Sequence, residues 1–342
     1  SGNALPMPSI NLVVKNFWAP AFLKDVVGFK GNYSHGWFEN SRADVRNFYL
    51  HQKSFYGRLG KPNWLFKFYG GFNHQVQWAG TLKYADPGNF AAKNGKIASS
   101  LKDYLYVITG QSMNVVGSDT ATYGINDGWN RLGNHLGSVD VGMEVDWKEA
   151  KLLFYRQSVY EDGSLFHGNN ITDGLHGISF TRKSEQGITK VVAEYLNTTS
   201  QGGSVFNQTD VNRGLDNYFN NAVYREGWTY AGKGLGTPMM TLDSETDLTN
   251  TNGTFYDNNR VESFYVGIQA KFGENDFTFR GSLSNSIGWF GIENIPVKKQ
   301  YSFGLQWQRP VQLMGYDAQL KASIGADKGL WKPDVIGGNV SL

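Results

Sequence analysis

The stretch Lys61–Gly80, KPNWLFKFYGGFNHQVQWAG, restricts the fold more than any other part of the chain. Its even positions Phe66, Phe68, Phe72, Val76 and Trp78 are apolar, and its odd positions Lys67, Asn73, Gln75 and Gln77 are polar. Strand side chains point alternately to two faces, so this segment reads as a long strand with one greasy face and one able to hydrogen-bond water or sugar. His74 has the wrong parity. A bulge at Gly70-Gly71 would turn it inward; a position at the level of lipid headgroups would also tolerate it.

The same period recurs along the chain. Strands are expected at Ile10–Trp18, Asp25–Phe38, Val45–Arg58, Leu101–Gln111, Ser138–Trp147, Lys151–Val159, Gly174–Arg182 and Ile188–Asn197. The C-terminal third is the most regular, with Glu262–Phe272, Phe277–Trp289, Gln300–Gln308, Tyr316–Asp327 and Val335–Leu342. With the opening stretch this makes about fourteen strands. In Ser138–Trp147 the apolar set Val139, Val141, Met143, Val145 and Trp147 alternates with Asp140, Gly142, Glu144 and Asp146. Carboxylates at bilayer depth cost a few kcal/mol each, so that polar face has to point into a wet or hydrogen-bonded interior. Between the strands lie polar loops at 81–100 and 112–137, and a longer one at about 198–258 that suits a plug or a binding loop.

A soluble sandwich also alternates, but its strands average five or six residues, whereas these run about ten to fourteen and repeatedly end in Trp or Tyr. Composition agrees with a membrane barrel: 42 glycines, 15% aromatics, no cysteine and a mean hydropathy of -0.41, with no apolar run of 18 residues. A net charge of +2 from interspersed charges gives no reason to expect nucleic acid as a partner. The expected fold is therefore all-β: one antiparallel transmembrane outer-membrane β-barrel domain over residues 1–342, with long extracellular loops and Trp37, Trp78, Trp147 and Trp289 in the interfacial girdles. The opening residues SGNALPMPSI lack the features of a signal peptide, as expected of a processed or trimmed chain.

Five stretches in order, GNYSHGWFENSR (31–42), LHQKSFYGRLG (50–60), FYGGFNHQVQWAG (68–80), HGISFTR (176–182) and DNYFNNAVYREGWTYAGKGLGTP (216–238), resemble the Wzi-type capsule-assembly family, in its Bacteroidetes-like branch. The resemblance runs from residue 31 to about 330. It implies an outer-membrane barrel of about eighteen strands acting as a non-catalytic surface lectin that binds or organises capsular polysaccharide. Chains of that family have further N-terminal strands and a periplasmic helical portion, neither of which is evident here, so either an N-terminal portion is missing or this member is a shorter one. The ending at Leu342 after GGNVS, without a terminal aromatic, likewise suggests trimming.

Two sets of residues are candidates for function. Sugar recognition needs flat aromatic faces beside planar amide, carboxylate or guanidinium groups. The 216–230 loop supplies Asp216, Asn217, Tyr218, Asn220, Asn221, Tyr224, Arg225 and Trp228, and the 112–137 loop adds Trp129 and Arg131. The alternative for the first group is a packed plug. His35, His51, Lys53, Gln75, Gln77, Glu144, Asp146 and Glu194 are expected to form a polar network lining the lumen. Those histidines and carboxylates also invite a metal site or a glycosidase pair, yet no HExxH or GxSxG motif accompanies them, and neither metal, cofactor nor enzymatic activity is expected. Expected partners are surface polysaccharide, outer-membrane lipid and other outer-membrane proteins. Lumen charges of both signs equally suit a porin-like channel, and the barrel could instead anchor a larger outer-membrane complex.

Overall fold

The computed structural model describes residues 5–113, 119–164, 168–205, 214–246 and 255–342; the rest of the 112–137 and 198–258 loops lies outside them. The alternating segments form one 13-stranded antiparallel sheet in which every strand pairs with its neighbours in chain order. The strands are β1 (Ser9–Trp18), β2 (Val27–Trp37), β3 (Tyr49–Leu59), β4 (Phe66–Trp78), β5 (Asn134–Asp146), β6 (Ala150–Glu161) and β7 (Gly174–Arg182). They continue with β8 (Gly187–Asn197), β9 (Arg260–Phe272), β10 (Asn275–Trp289), β11 (Ile292–Leu313), β12 (Tyr316–Gly329) and β13 (Val335–Ser341). β1 and β13 are the edges and each pairs on one side only.

The fourteenth expected strand is a helix. Leu101–Thr109 forms α1, started by a capping box in which Ser100 accepts from the Asp103 amide and Asp103 accepts from the Ser100 amide. It stops at Gly110, whose left-handed backbone lets its N–H reach the Tyr106 carbonyl. The alternation of LKDYLYVIT is also compatible with a helix, and the cap decides. A short helix α2 (Ile125–Trp129) follows. The 81–100 segment is more than a surface loop: Ala91, Ala92 and Ile97 are buried with Phe38, Val45, Phe48, Val223 and Tyr224.

Register fixes which side chains share a face. Phe68 lies across from Leu59 and Met143, Met143 from Phe154, and Phe154 from Ile178. Ile178 is opposite Ala193, Ala193 opposite Val266, and Val266 opposite Gly281. This face carries exposed Phe55, Phe66, Phe68, Val141, Phe264, Val266, Phe279, Tyr301, Phe303, Leu305 and Ile324, and it is the outer one. On the other face, side chains from β3, β4, β5, β6, β7, β8 and β9, among them Gln52, Asn73, Ser138, Gln157, Leu175, Glu194 and Tyr265, surround one cavity of about 550 Å³. Seven successive strands converging on one space require a sheet curled around it. The register of β4 with both neighbours is continuous, so Gly70-Gly71 makes no bulge and His74 stays on the outer face.

Short turns at 60–65, 147–149, 183–186 and 273–274 mark one rim, and the 38–48, 79–133 and 198–259 excursions mark the other.

Candidate functional site

At the rim with the long excursions, the described part of the 198–259 loop crosses the interior. It is held by small pairings of Thr229–Tyr230 with Lys233–Gly234 and of Thr241–Leu242 with Tyr256–Asn258. Just before the first pairing the chain turns tightly at Gly227, whose φ is +59°; a Cβ there would meet the Phe219 carbonyl oxygen at 2.1 Å. Tyr218, Met240, Leu242 and Tyr256 pack with Leu196 and Val261 of the wall into an apolar cluster. The described part of the loop, called the plug below, therefore packs against the inner side of the wall.

Its anchorage is polar and buried. The Arg42 guanidinium, in the 38–48 connection, donates to both carboxylate oxygens of Asp44 at 3.0 and 2.9 Å, to the carbonyls of Gly227 and Thr229 at 3.2 and 3.1 Å, and to the Thr229 hydroxyl at 3.2 Å. It also lies over the Phe48 ring at 4.9 Å. Burial works to raise the Asp44 carboxyl, but the hydrogen bonds and charge of Arg42 outweigh it and hold the group below its ordinary value. Gln77 of β4 donates to the Gly227 carbonyl at 2.9 Å, and Asn134 of β5 donates to Gln77. The Tyr224 hydroxyl donates to the Ala79 carbonyl at 3.0 Å. Further along the same sheet, at β6 and the start of β7, Glu161 accepts from the Asn217 amide at 2.8 Å, and Asp173 accepts from the Tyr218 hydroxyl at 2.9 Å. Asn170 bridges Asp216 and the Tyr218 hydroxyl.

These contacts sort the expected glycan residues. Tyr218, Asn220, Tyr224 and Trp228 are buried, with their ring faces and amides against protein. Asp216 and Asn217 are half-buried in the seam with the wall, and burial pushes the Asp216 carboxyl up to about 6. Asn221 caps its own turn, accepting from the amides of Val223 and Tyr224. Arg225 is exposed, with its guanidinium 3.5 Å above the Tyr84 ring. Trp129 is 46% exposed, and Arg131 donates to the Gly110 carbonyl at 2.7 Å. The structure thus separates a buried framework from a small set of outward groups.

The expected lumen network divides by parity. Gln75, Gln77, Glu144, Asp146 and Glu194 do face inward. Lys67 pairs with Glu144 and Asp146 at 2.9 Å each, and Lys183 with Asp146 at 2.7 Å. Asp140 accepts from Tyr56, Asn73 and Gln157, and Glu194 from Tyr155. His35, His51 and Lys53 belong instead to the outer face, since they share the parity of Phe55 and pair across to Val76 and His74. There they are covered by α1: Tyr104 and His51 Nδ1 share a hydrogen bond of 3.3 Å, Tyr33 donates to Tyr104 at 2.9 Å, and Lys53 donates to the Ile108 carbonyl. His74 Nε2 and His135 Nδ1 share a hydrogen bond of 2.8 Å beneath the same cover. Trp78 is no girdle residue; it is 5% exposed and stacked on Tyr104, with ring centroids 4.9 Å apart. Trp37 and Trp147 are exposed at opposite rims, as a girdle requires. Among the described residues no group of three or more His, Asp or Glu side chains converges as a metal ion would require.

An apolar outer face on strands of up to 22 residues, around an inward face carrying Lys67, Glu144, Asp146 and Glu194, fits hydrocarbon outside and a hydrated interior. The chain is a β-barrel protein of the outer membrane. Long excursions place the plug at the extracellular rim. No protein-family model and no curated protein matches the chain. Solved structures with a similar course include BamA from Haemophilus ducreyi lacking POTRA domains 1–3, at 11% identity and a TM-score of 0.37, covering 97% of this chain and 62% of that one. The siderophore receptor PirA from Pseudomonas aeruginosa is similar at 10% identity and a TM-score of 0.37, over 92% of this chain and 48% of that one. A Pseudomonas aeruginosa FadL homologue follows at 10% and 0.33, over 98% and 75%. The chain therefore spans about half to two thirds of the first two.

The anchors Arg42, Asp44, Glu161 and Asp173 were not among the expected site residues. They carry no motif, and they matter only because the fold brings them to the plug. The α1 cap, S-x-x-D before an apolar run, was the one legible signal missed.

Proposed function

We propose that this barrel is a non-catalytic polysaccharide-binding protein of the cell surface, as the resemblance to Wzi-type capsule-assembly proteins implies. The observation that carries this reading is the plug. Its buried aromatic and polar side chains are spent on holding it in place, which disfavours a wide solute pathway and leaves a fixed outward surface. On that surface Arg225 stacked on Tyr84 offers a guanidinium plane for sugar hydroxyls or uronate carboxylates, and Trp129 offers an aromatic face. Asp216, Asn217, Tyr218, Asn220, Tyr224 and Trp228 would support this surface from beneath.

The test is a glycan array of capsular and other surface polysaccharides, probed with the purified protein and with Arg225→Ala and Trp129→Ala variants. Binding by the wild type that falls at least tenfold in either variant supports the reading. Equal binding by all three would remove the surface assignment, and no binding at all would remove the lectin reading. The porin-like alternative rests on inward charges of both signs, and ohmic single-channel conductance of the wild type in a planar bilayer would favour it.

A further inference from the structure

The wall formed by β2, β3, β4 and β5 poses a problem for a bilayer. Its outer face is apolar only up to Phe55, Phe72 and Val139; above them come Lys53, His51, His35, His74 and His135. From Phe66 to Phe72 is about 20 Å along the strand, or about 15 Å along the membrane normal at a tilt of about 40°, whereas the apolar band of such barrels is about 25 Å tall. In this sector the band is about 10 Å short, and imidazoles and an ammonium occupy the missing height.

α1 lies over that height. Its inner side presents Tyr104 and Val107 to Trp78, Val76 and His51, and Lys53 donates to the Ile108 carbonyl in its last turn. Its outer side is a second apolar stripe: Leu101 is 81% exposed, Leu105 is 58% exposed, and Ile108 continues the i, i+4, i+7 row. A helix is about 10–12 Å across with its side chains, the height that the wall lacks.

We propose that α1 is embedded in the outer leaflet of the membrane, where Leu101, Leu105 and Ile108 contact lipid acyl chains and complete the apolar belt over the histidine-rich wall. The occupant follows from continuity: the stripe adjoins the lipid-facing band at Phe55, Phe72 and Val139, on the same outer side of the sheet. The 79–133 excursion is thereby tethered to the bilayer, with Trp129 at a set height above it.

The chain has no cysteine, so single-cysteine variants can be spin-labelled. Leu105→Cys and, as a second site, Leu101→Cys are reconstituted in phosphatidylcholine–phosphatidylglycerol vesicles, with Val266→Cys as the lipid-facing reference and Ala222→Cys as the aqueous one. Heat-modifiable gel mobility confirms folding, which substitutions at exposed positions preserve. Labels at 105 and 101 should collide with oxygen at a rate within about twofold of position 266 and be shielded from a water-soluble nickel chelate. Nickel accessibility equal to that at 222 would overturn the proposal, and so would shielding from both colliders, which would mean that a second protein copy covers the helix.

Discussion

Arg42 should decide whether the plug stays docked. Its guanidinium ties the 38–48 connection to Gly227 and Thr229 of the plug while neutralising buried Asp44; both residues are under 5% exposed. Removing one member of a buried pair costs about 3–5 kcal/mol, because the remaining charge is left without compensation. Arg42→Ala should therefore raise the undocked population of this part of the plug by roughly 10²- to 4 × 10³-fold, taking tenfold per about 1.4 kcal/mol. Hydrogen exchange followed by mass spectrometry, on protein in lipid vesicles, reads that opening directly as faster exchange of amides 217–229.

The double variant Arg42→Ala/Asp44→Asn separates the charge from the contacts. Asparagine keeps an acceptor for one of the two amides, Val45 and Glu226, that donate to the separate Asp44 oxygens at 2.7 and 2.9 Å, while it removes the charge. If the unpaired carboxylate dominates, the double variant should recover at least 1–2 kcal/mol of protection relative to Arg42→Ala, as non-additivity between contacting groups requires. Equal exchange in both variants would refute the reasoning about the buried charge. Unchanged exchange in Arg42→Ala would refute the anchoring role altogether.

Four further outcomes follow from the same geometry. Burial pushes the carboxyl of Asp257, which accepts from Thr246, up to about 6. Its folded value thus lies above an unfolded value of about 4, so its ionisation opposes docking, and stability present at low pH is lost as pH rises through about 6. Between pH 5 and pH 7 the wild type should lose about 1 kcal/mol that Asp257→Asn does not lose, measured by urea unfolding at each pH. Gly227→Ala places a Cβ against the Phe219 carbonyl at a positive φ, so it should cost more than about 1 kcal/mol and expose the plug to limited proteolysis. Lys67→Met strands Glu144 and Asp146 on the inner wall, where Lys183 and Lys151 compensate only in part; it should cost about 2–3 kcal/mol in urea unfolding. Glu293→Ala, which breaks an exposed pair with Arg260, should change stability by less than about 1 kcal/mol.

Thirteen of the fourteen expected strands are strands, since period-2 alternation over ten residues is a strong local signal. The inward orientation of Glu144, Asp146 and Glu194 was legible for the same reason. What the sequence hides is contact at a distance. Nothing near DNYFNNAVYREGW says that Tyr224 will reach Ala79 or that Arg42, 185 residues from Gly227, will bind its carbonyl. A tyrosine and an asparagine look alike in sequence whether they meet a sugar or a backbone amide; only the burial of Tyr218, Asn220, Tyr224 and Trp228 separates the two.

His74 shows why parity alone misleads. On a barrel strand a polar residue among apolar ones implies a bulge, a headgroup position or an inward turn, provided that each wall has lipid on one side and lumen on the other. Here the upper part of β4 has neither neighbour on its outer side. Protein lies on both faces: the plug meets Gln77 inside, and α1 with Gly110 and Leu132 covers His74, Val76, Trp78 and His135 outside. Once a wall is sandwiched in this way, both faces can hold polar groups that bond one another and aromatic groups that stack. Alternation then persists in Val76, Gln77 and Trp78 while its meaning changes from lipid against water to helix against plug. The same stretch that identifies the barrel from below, at Phe66–Phe72, becomes from His74 upward the support of the surface proposed to bind polysaccharide.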